Sequence, residues 1–179
     1  MNDVDLVNES RRGNRAAFSE LVRRHSRPLT MMILRIVRDE EDAKDLSQAV
    51  FLKAFEGLSR FKMASSFKTW LYRIAMNTVK DHLRKRRPVP DSDLVDQVVD
   101  PAQSPGERID RGTRLRRLRE AIDRLPEKQR LTLQLRIYEE MDYKEIASIL
   151  GGSAGSARGN FFQAAKTLRE KLVKDDEKT

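Results

Sequence analysis

The 179-residue chain contains no cysteine. Disulfide frameworks, thiol nucleophiles and cysteine-based metal sites are thereby excluded, a pattern that suits a reducing compartment. Nor is there a long apolar run. The opening "MNDVDLVNES" is acidic, so the sequence leads us to expect neither a signal peptide nor a membrane span, but a soluble, cytoplasmic protein. Strand-like alternation of apolar and polar residues is missing as well, and no stretch repeats another. Histidine is scarce, and the carboxylates of "RDEEDAKD" have no imidazole partner with which to form a metal site. What the chain has in excess is positive charge: Lys and Arg number 36 against 28 Asp and Glu, a formal net charge of +8. That balance points to a polyanionic partner, meaning nucleic acid, an acidic protein or an anionic membrane face.

Apolar residues recur at helical spacing almost throughout, which predicts an all-α fold. Phe18, Leu21, Val22, Leu29, Met32 and Ile36 mark one long amphipathic segment, in which Pro28 is a candidate kink because it lacks the amide hydrogen. Leu46, Val50, Ala54 and Leu58 mark a second, with Phe51 and Phe55 beside them, and a third runs from about residue 66 to residue 87. Next comes "RPVPDSDLVDQVVDPAQSPGE", rich in Pro and Asp, which reads as a linker. Periodicity resumes with Leu115, Leu118, Ile122 and Leu125; Pro126 suits a first helical turn, and Leu131, Leu135 and Tyr138 continue the stripe. The predicted organisation is two small helical domains, 1–87 and 107–179, joined by a tether over 88–106 whose extended reach is roughly 60 Å.

Three stretches carry chemistry. In "DYKEIASILGGSAGSARGNFFQAAKTLREKL", Asp142 and Glu145 have the form of a capping box, Ile146, Ile149 and Leu150 supply a buried stripe, and Gly151 stands where a helix should end. Ser153 then caps a second helix with Ala157, Phe161, Ala164, Leu168 and Leu172 inward. Ser156, Asn160, Gln163 and Thr167 lie on the opposite side, flanked by Arg158, Phe162, Lys166 and Arg169. This is a helix-turn-helix pattern whose amides suit adenine and whose cations suit phosphate; a helical hairpin inside a bundle would show the same periodicity. In "FKTWLYRIAMNTVKDHLRKRR", Trp70, Arg73, Asn77, Lys80, Arg84 and Arg87 form one ridge, an aromatic with cations, as single-stranded nucleic acid requires. The alternative is a basic surface with Trp70 in the core. Finally, Glu41, Asp45, Gln48, Ala49 and Leu52 line one side of an acidic helix start, which reads either as a solvated, dipole-favoured terminus or as a protein-docking face.

Taken together, these blocks resemble the extracytoplasmic-function sigma factors, the minimal promoter-recognition subunits of bacterial RNA polymerase. "DAKDLSQAVFLKAF" with "FKTWLYRIAMNTVKDHLRKRR" is similar to the family's second conserved region, and "LREAIDRLPEKQR" through the C-terminal helix pair is similar to its fourth. The resemblance covers nearly the whole chain and leaves no room for a third domain or an N-terminal inhibitory one. It implies a protein that binds core RNA polymerase and promoter DNA, is controlled by an anti-sigma factor, and catalyses nothing itself. No cofactor, metal, small-molecule substrate or membrane insertion is expected. Trp70, Arg73, Asn77, Lys80 and Arg84, with Phe61, Lys62 and Ser65 of the preceding loop "LSRFKMASSF", would hold the minus-ten element as it opens, the loop taking a base turned out of the stack. Ser156, Arg158, Asn160, Phe162, Gln163 and Lys166 would read the minus-thirty-five element as duplex. Asp45, Gln48 and Phe51 match the positions that dock on the polymerase clamp helices. Asp91, Asp93, Asp96 and Asp100 of the tether would imitate a nucleic-acid backbone near the RNA path, although a solvated acidic linker explains them equally.

The chain also departs from that family pattern. Ala49 replaces a usual Glu after the docking Gln, Gly152 and Ala157 stand where larger apolar residues are common, and Asn160, Gln163 and Ala165 stand where many relatives carry Arg. Gly159 lies inside the recognition helix, where glycine costs up to about 1 kcal/mol relative to alanine, and predicts a helix weakly ordered when unbound. Two rival functions fit fewer residues. A helix-turn-helix regulator that is not a polymerase subunit leaves the tryptophan-basic ridge without a task. A metal-dependent nuclease using the carboxylates from Asp39 to Asp45 needs a pocket that this pattern does not suggest, and His25 and His82 read as structural or surface residues of amphipathic helices.

Overall fold

The structure, a computed structural model, describes the backbone of residues 1–86 and 109–176 and the side-chain surroundings of residues 1–85 and 116–172. The expected tether over 88–106, with its four aspartates, lies outside the described residues, as does Arg87. Among the described residues every regular element is helical. Helix α1 (Asp3–Arg11) was not anticipated from periodicity, yet its start is written locally: the Asn2 side chain accepts from the Asp5 amide, and the Asp5 carboxylate accepts from the Asn2 amide. Helix α2 (Arg15–Val37) is capped by Asn14 and contains Pro28 without a break in the helix. It stops at Arg38, whose φ of 59° is left-handed. Helix α3 (Glu40–Gly57) begins at Asp39, which accepts from the Asp42 amide, and places Glu40, Glu41 and Asp42 in its first turn, where the helix dipole favours carboxylates. A short 3-10 turn (Leu58–Arg60) leads to a loop and then to α4 (Phe67–Arg86), whose Ser66 hydroxyl accepts from the Thr69 amide.

These four helices enclose a core built around Leu21, Leu29, Ile33, Val50, Ala54, Leu71, Ala75 and Met76, all buried. The second group comprises α5 (Ile109–Asp123), α6 (Glu127–Tyr138), α7 (Tyr143–Leu150) and α8 (Ala154–Asp176). Its turns follow the expected signals. Pro126 precedes α6, the reciprocal Asp142–Glu145 capping box opens α7, and Gly151, at φ 80°, closes it. Helix α8 runs without interruption through Gly159, and its inward residues Ala157, Ala164 and Leu168 are buried.

Tertiary packing joins the two groups more tightly than a tether alone requires. The first core continues through Leu131, Leu135, Met141, Ile146 and Ile149 of the second group, while Ala121, Leu125, Ala164 and Leu168 form a separate small cluster. The seam runs between α4 and α7. At its centre the Glu139 side chain is only 4% exposed, with Lys68 Nζ at 3.5 Å and Arg35 Nη1 at 3.7 Å. Tyr72 donates its hydroxyl to Glu139 at 2.5 Å, and Lys68 also donates to the Glu139 carbonyl oxygen at 2.7 Å. Burial, and then the bond to Glu139, pushes the Tyr72 hydroxyl above its ordinary range, so it stays a donor. Around this centre Thr69 donates to Glu145 at 2.7 Å, Arg73 donates to Ser148, and Arg38 pairs with Asp123 at 2.5 Å.

Candidate nucleic-acid interface

Helix α4 presents the ridge that its sequence spacing predicted, and the fold grades it along its length. Asn77, Lys80 and Arg84 are exposed, Arg84 pairing with Asp81 of the same helix at 3.2 Å. Arg73 is also exposed, but its guanidinium is held by Ser148 of α7. Trp70 is half-buried: its ring stacks on Phe61 at 4.7 Å and 22°, lies 5.9 Å from Phe67, and passes Gly57 so closely that a Cβ there would touch it at 3.4 Å. The tryptophan is therefore a wall of the fold with one side open.

The loop before α4 divides in the same way. Lys62 is exposed and Ser65 half-buried, whereas Phe61 is only 5% exposed and belongs to an aromatic group with Phe67 and Trp70. Met63 adopts φ 53°, a left-handed turn in the middle of the loop. An open cleft is lined here by Arg11, Ser59, Arg60, Phe61, Lys62 and Met63. Arg11 comes from α1, and no short-range pattern in the sequence ties it to this loop.

On α8, Arg158, Gln163 and Lys166 are exposed, as is Phe162 at 74%. Arg158 lies 5.6 Å from the centre of the Tyr143 ring and Lys166 lies 4.0 Å from Glu170. Asn160 is half-buried and lines, with Thr132, a small cleft among α6, α7 and α8. Ser156 has a structural occupation: its hydroxyl donates to the Ser153 carbonyl and accepts from the Ser153 amide, while Ser153 Oγ accepts from the Ser156 amide. Its position near the helix start belongs to the cap.

Helix α3 carries an exposed stripe. Asp45 and Gln48 face outward, and so do Leu52 at 60% and Phe55 at 47%, spaced three, four and three residues apart. Phe55 meets Phe18 of α2 edge-on at 5.0 Å. Phe51, grouped with Asp45 and Gln48 by its sequence position, is 8% exposed and points into the core. Leu52 and Phe55 are the apolar members of this outer face. Among the described residues no group of three or more His, Asp or Glu side chains is placed to hold a metal ion, and no helix is long and apolar enough to cross a membrane.

Comparison with known proteins adds an independent observation. The family described as Sigma-70 region 2 matches residues 21–89, and that described as Sigma-70, region 4 matches residues 115–168. The chain is similar to the RNA polymerase sigma-H factor of Pseudomonas aeruginosa, at 35% identity over 95% of this chain and 93% of that protein. It is similar to the ECF RNA polymerase sigma-E factor of Escherichia coli, at 33% identity over 96% and 95%. Its fold is similar to that of the sigma factor RpoE from Bartonella quintana, solved in complex with the anti-sigma factor NepR, with a TM-score of 0.68 at 26% identity over 87% of this chain and 96% of that one.

Proposed function

The chain belongs to the sigma-70 family, in its extracytoplasmic-function group, and from that premise we propose that it divides promoter recognition between residues 1–87 and residues 107–179, with 88–106 as the tether. It is a sigma factor that binds core RNA polymerase, recognises the minus-ten and minus-thirty-five elements and promotes initiation under the control of an anti-sigma partner. In this reading it works in the cytoplasm and supplies no catalysis, the polymerase carrying the reactive metal.

The observation that carries the division of labour is the pairing of two unlike DNA faces on one chain. Along α4 an aromatic wall is continued by exposed Asn77, Lys80 and Arg84, a combination suited to an opened strand, since rings stack on bases and cations hold phosphates. Along α8 exposed Gln163 lies among Arg158, Phe162 and Lys166, a combination suited to the edges of paired bases in a major groove. The stripe of Asp45, Gln48, Leu52 and Phe55 supplies a third, mixed polar and apolar face for the polymerase, with Phe51 supporting it from beneath.

A regulator acting apart from polymerase would need the C-terminal face alone, and would leave both the α4 ridge and the α3 stripe without a partner. The discriminating experiment is transcription in vitro with core polymerase and genomic DNA, followed by mapping of RNA starts. The expected result is a small set of starts that share two upstream elements and depend on this protein. Starts identical to those of core polymerase alone would overturn the reading.

A further inference from the structure

The loop between the 3-10 turn and α4 owes its shape to a residue about fifty positions upstream. Arg11, the last residue of α1, donates Nε to the Leu58 carbonyl oxygen at 3.0 Å and Nη2 to the Phe61 carbonyl oxygen. These two carbonyls bracket the 3-10 turn (Leu58–Arg60): the Leu58 oxygen also accepts from the Phe61 amide at 3.2 Å, so Arg11 adds a second donor to it and ties it to the Phe61 carbonyl. One planar fork thus closes the turn from outside. Its guanidinium carbon also lies 6.0 Å from the centre of the Phe61 ring, the ring that stacks on Trp70. Arg11 itself is exposed and lines the open cleft with Ser59, Arg60, Lys62 and Met63, and its Nη1 has no acceptor among the described residues.

We propose that Arg11 is a positioning residue for the minus-ten strand: it clamps the loop carbonyls of Leu58 and Phe61 so that the cleft admits one unstacked base and discriminates among bases at that single promoter position. This rests on the sigma-factor reading and extends it to a helix outside the matched span of residues 21–89. The chemistry requires arginine. A guanidinium offers several N–H groups in a fixed plane and serves two carbonyls while an edge stays open, whereas an ammonium is a point charge on a flexible stem. The cleft itself sets the cationic Arg60 and Lys62 around the loop backbone that Arg11 holds, where the phosphate of an unstacked nucleotide finds its counter-charges.

The test uses holoenzyme assembled from core polymerase and the full chain. Its probes are single-stranded oligonucleotides spanning a mapped minus-ten element, each position changed in turn to the other three bases. Arg11→Ala and Arg11→Lys are compared with wild type and with Arg12→Ala, which removes the same charge from a neighbour whose partner is Glu9 at 2.7 Å. Wild type and Arg12→Ala are expected to keep the full pattern of preferences. Arg11→Ala and Arg11→Lys should each lose about tenfold of the preference at one position, the size of one lost directional contact, with the other positions unchanged. If Arg11→Ala lowers the melting temperature, Arg11→Lys, which retains stem and charge, carries the test. Three results overturn the proposal: an unaltered preference in both variants, an equal loss at every position, or full rescue by lysine. A wild-type holoenzyme without base preference at any position would overturn the sigma-factor reading as well, and so separates the two failures.

Discussion

Residues of one chemical type have different tasks here, and their neighbours decide which. Arg84 and Lys80 project from α4 into solvent, Arg73 is bound across the seam to Ser148, and Arg11 is folded back onto two carbonyls of its own domain. Exposed cations facing phosphate give affinity without sequence information, whereas an amide paired with a base edge discriminates by roughly 1–3 kcal/mol. Lys80→Ala is therefore expected to weaken promoter complexes on all sequences and to lower the salt slope by about one unit. Gln163→Ala should instead relax preference at one or two base pairs of the upstream element and leave that slope nearly unchanged. Gel shifts across a salt series, repeated on substituted promoters, measure both quantities. A uniform loss with Gln163→Ala would show that its side chain contacts no base edge.

At the scale of elements, α3 shows how a helix serves two masters with one sequence. Val50, Phe51 and Ala54 build the core, and the Asp45, Gln48, Leu52 and Phe55 stripe is left to solvent. Placing a charge on that stripe should disturb docking and spare folding. Leu52→Asp is expected to reduce affinity for core polymerase at least about tenfold, since an apolar contact is lost and a carboxylate is desolvated, with helicity and melting temperature close to wild type. Circular dichroism and a fluorescence-based binding titration supply the two readings. Unchanged affinity would remove this face from the docking surface. Several helix ends in the second group were legible in advance because their caps are local: Asp142 with Glu145, Ser153 and Gly151 all lie within a few residues of the terminus they define, whereas Ser156, read as an outward-facing residue, turned out to complete the Ser153 cap. Helix α1 has the same kind of signal in Asn2 and Asp5, but at nine residues it is too short for periodicity to announce it.

The two helical groups pack together, and the packing engages part of the α4 ridge. Glu139 lies at the seam, where Tyr72, Lys68 and Arg35 satisfy it, and Arg73 is drawn into the same contact. In the proposed division of labour each helical group reaches its own promoter element, which predicts that the seam parts during initiation. Because the chain has no cysteine of its own, this is open to a direct test. A crosslink between Arg73→Cys and Ser148→Cys is expected to reduce promoter opening, scored by permanganate footprinting, more than about tenfold. Cleaving the crosslink should restore the level of the uncrosslinked double variant. Full opening with the crosslink intact would mean that the packed arrangement itself engages the promoter.

What the sequence determined by itself was the longer helices, the ends around α4, α6, α7 and the start of α8, and the two blocks of residues that identify the family, because periodicity and caps act over a few residues and need no tertiary partner. The direction in which a side chain finally points was decided elsewhere. Phe51 turned inward and Leu52 outward because α3 is clasped between α2 and α4. Trp70 became a half-covered wall because Phe61 and Gly57 lie against it. Arg11 reaches a carbonyl fifty positions away and Tyr72 a carboxylate sixty-seven positions away. No local pattern encodes such pairs, since each exists only when separate helices have already been brought together by the burial of their apolar faces.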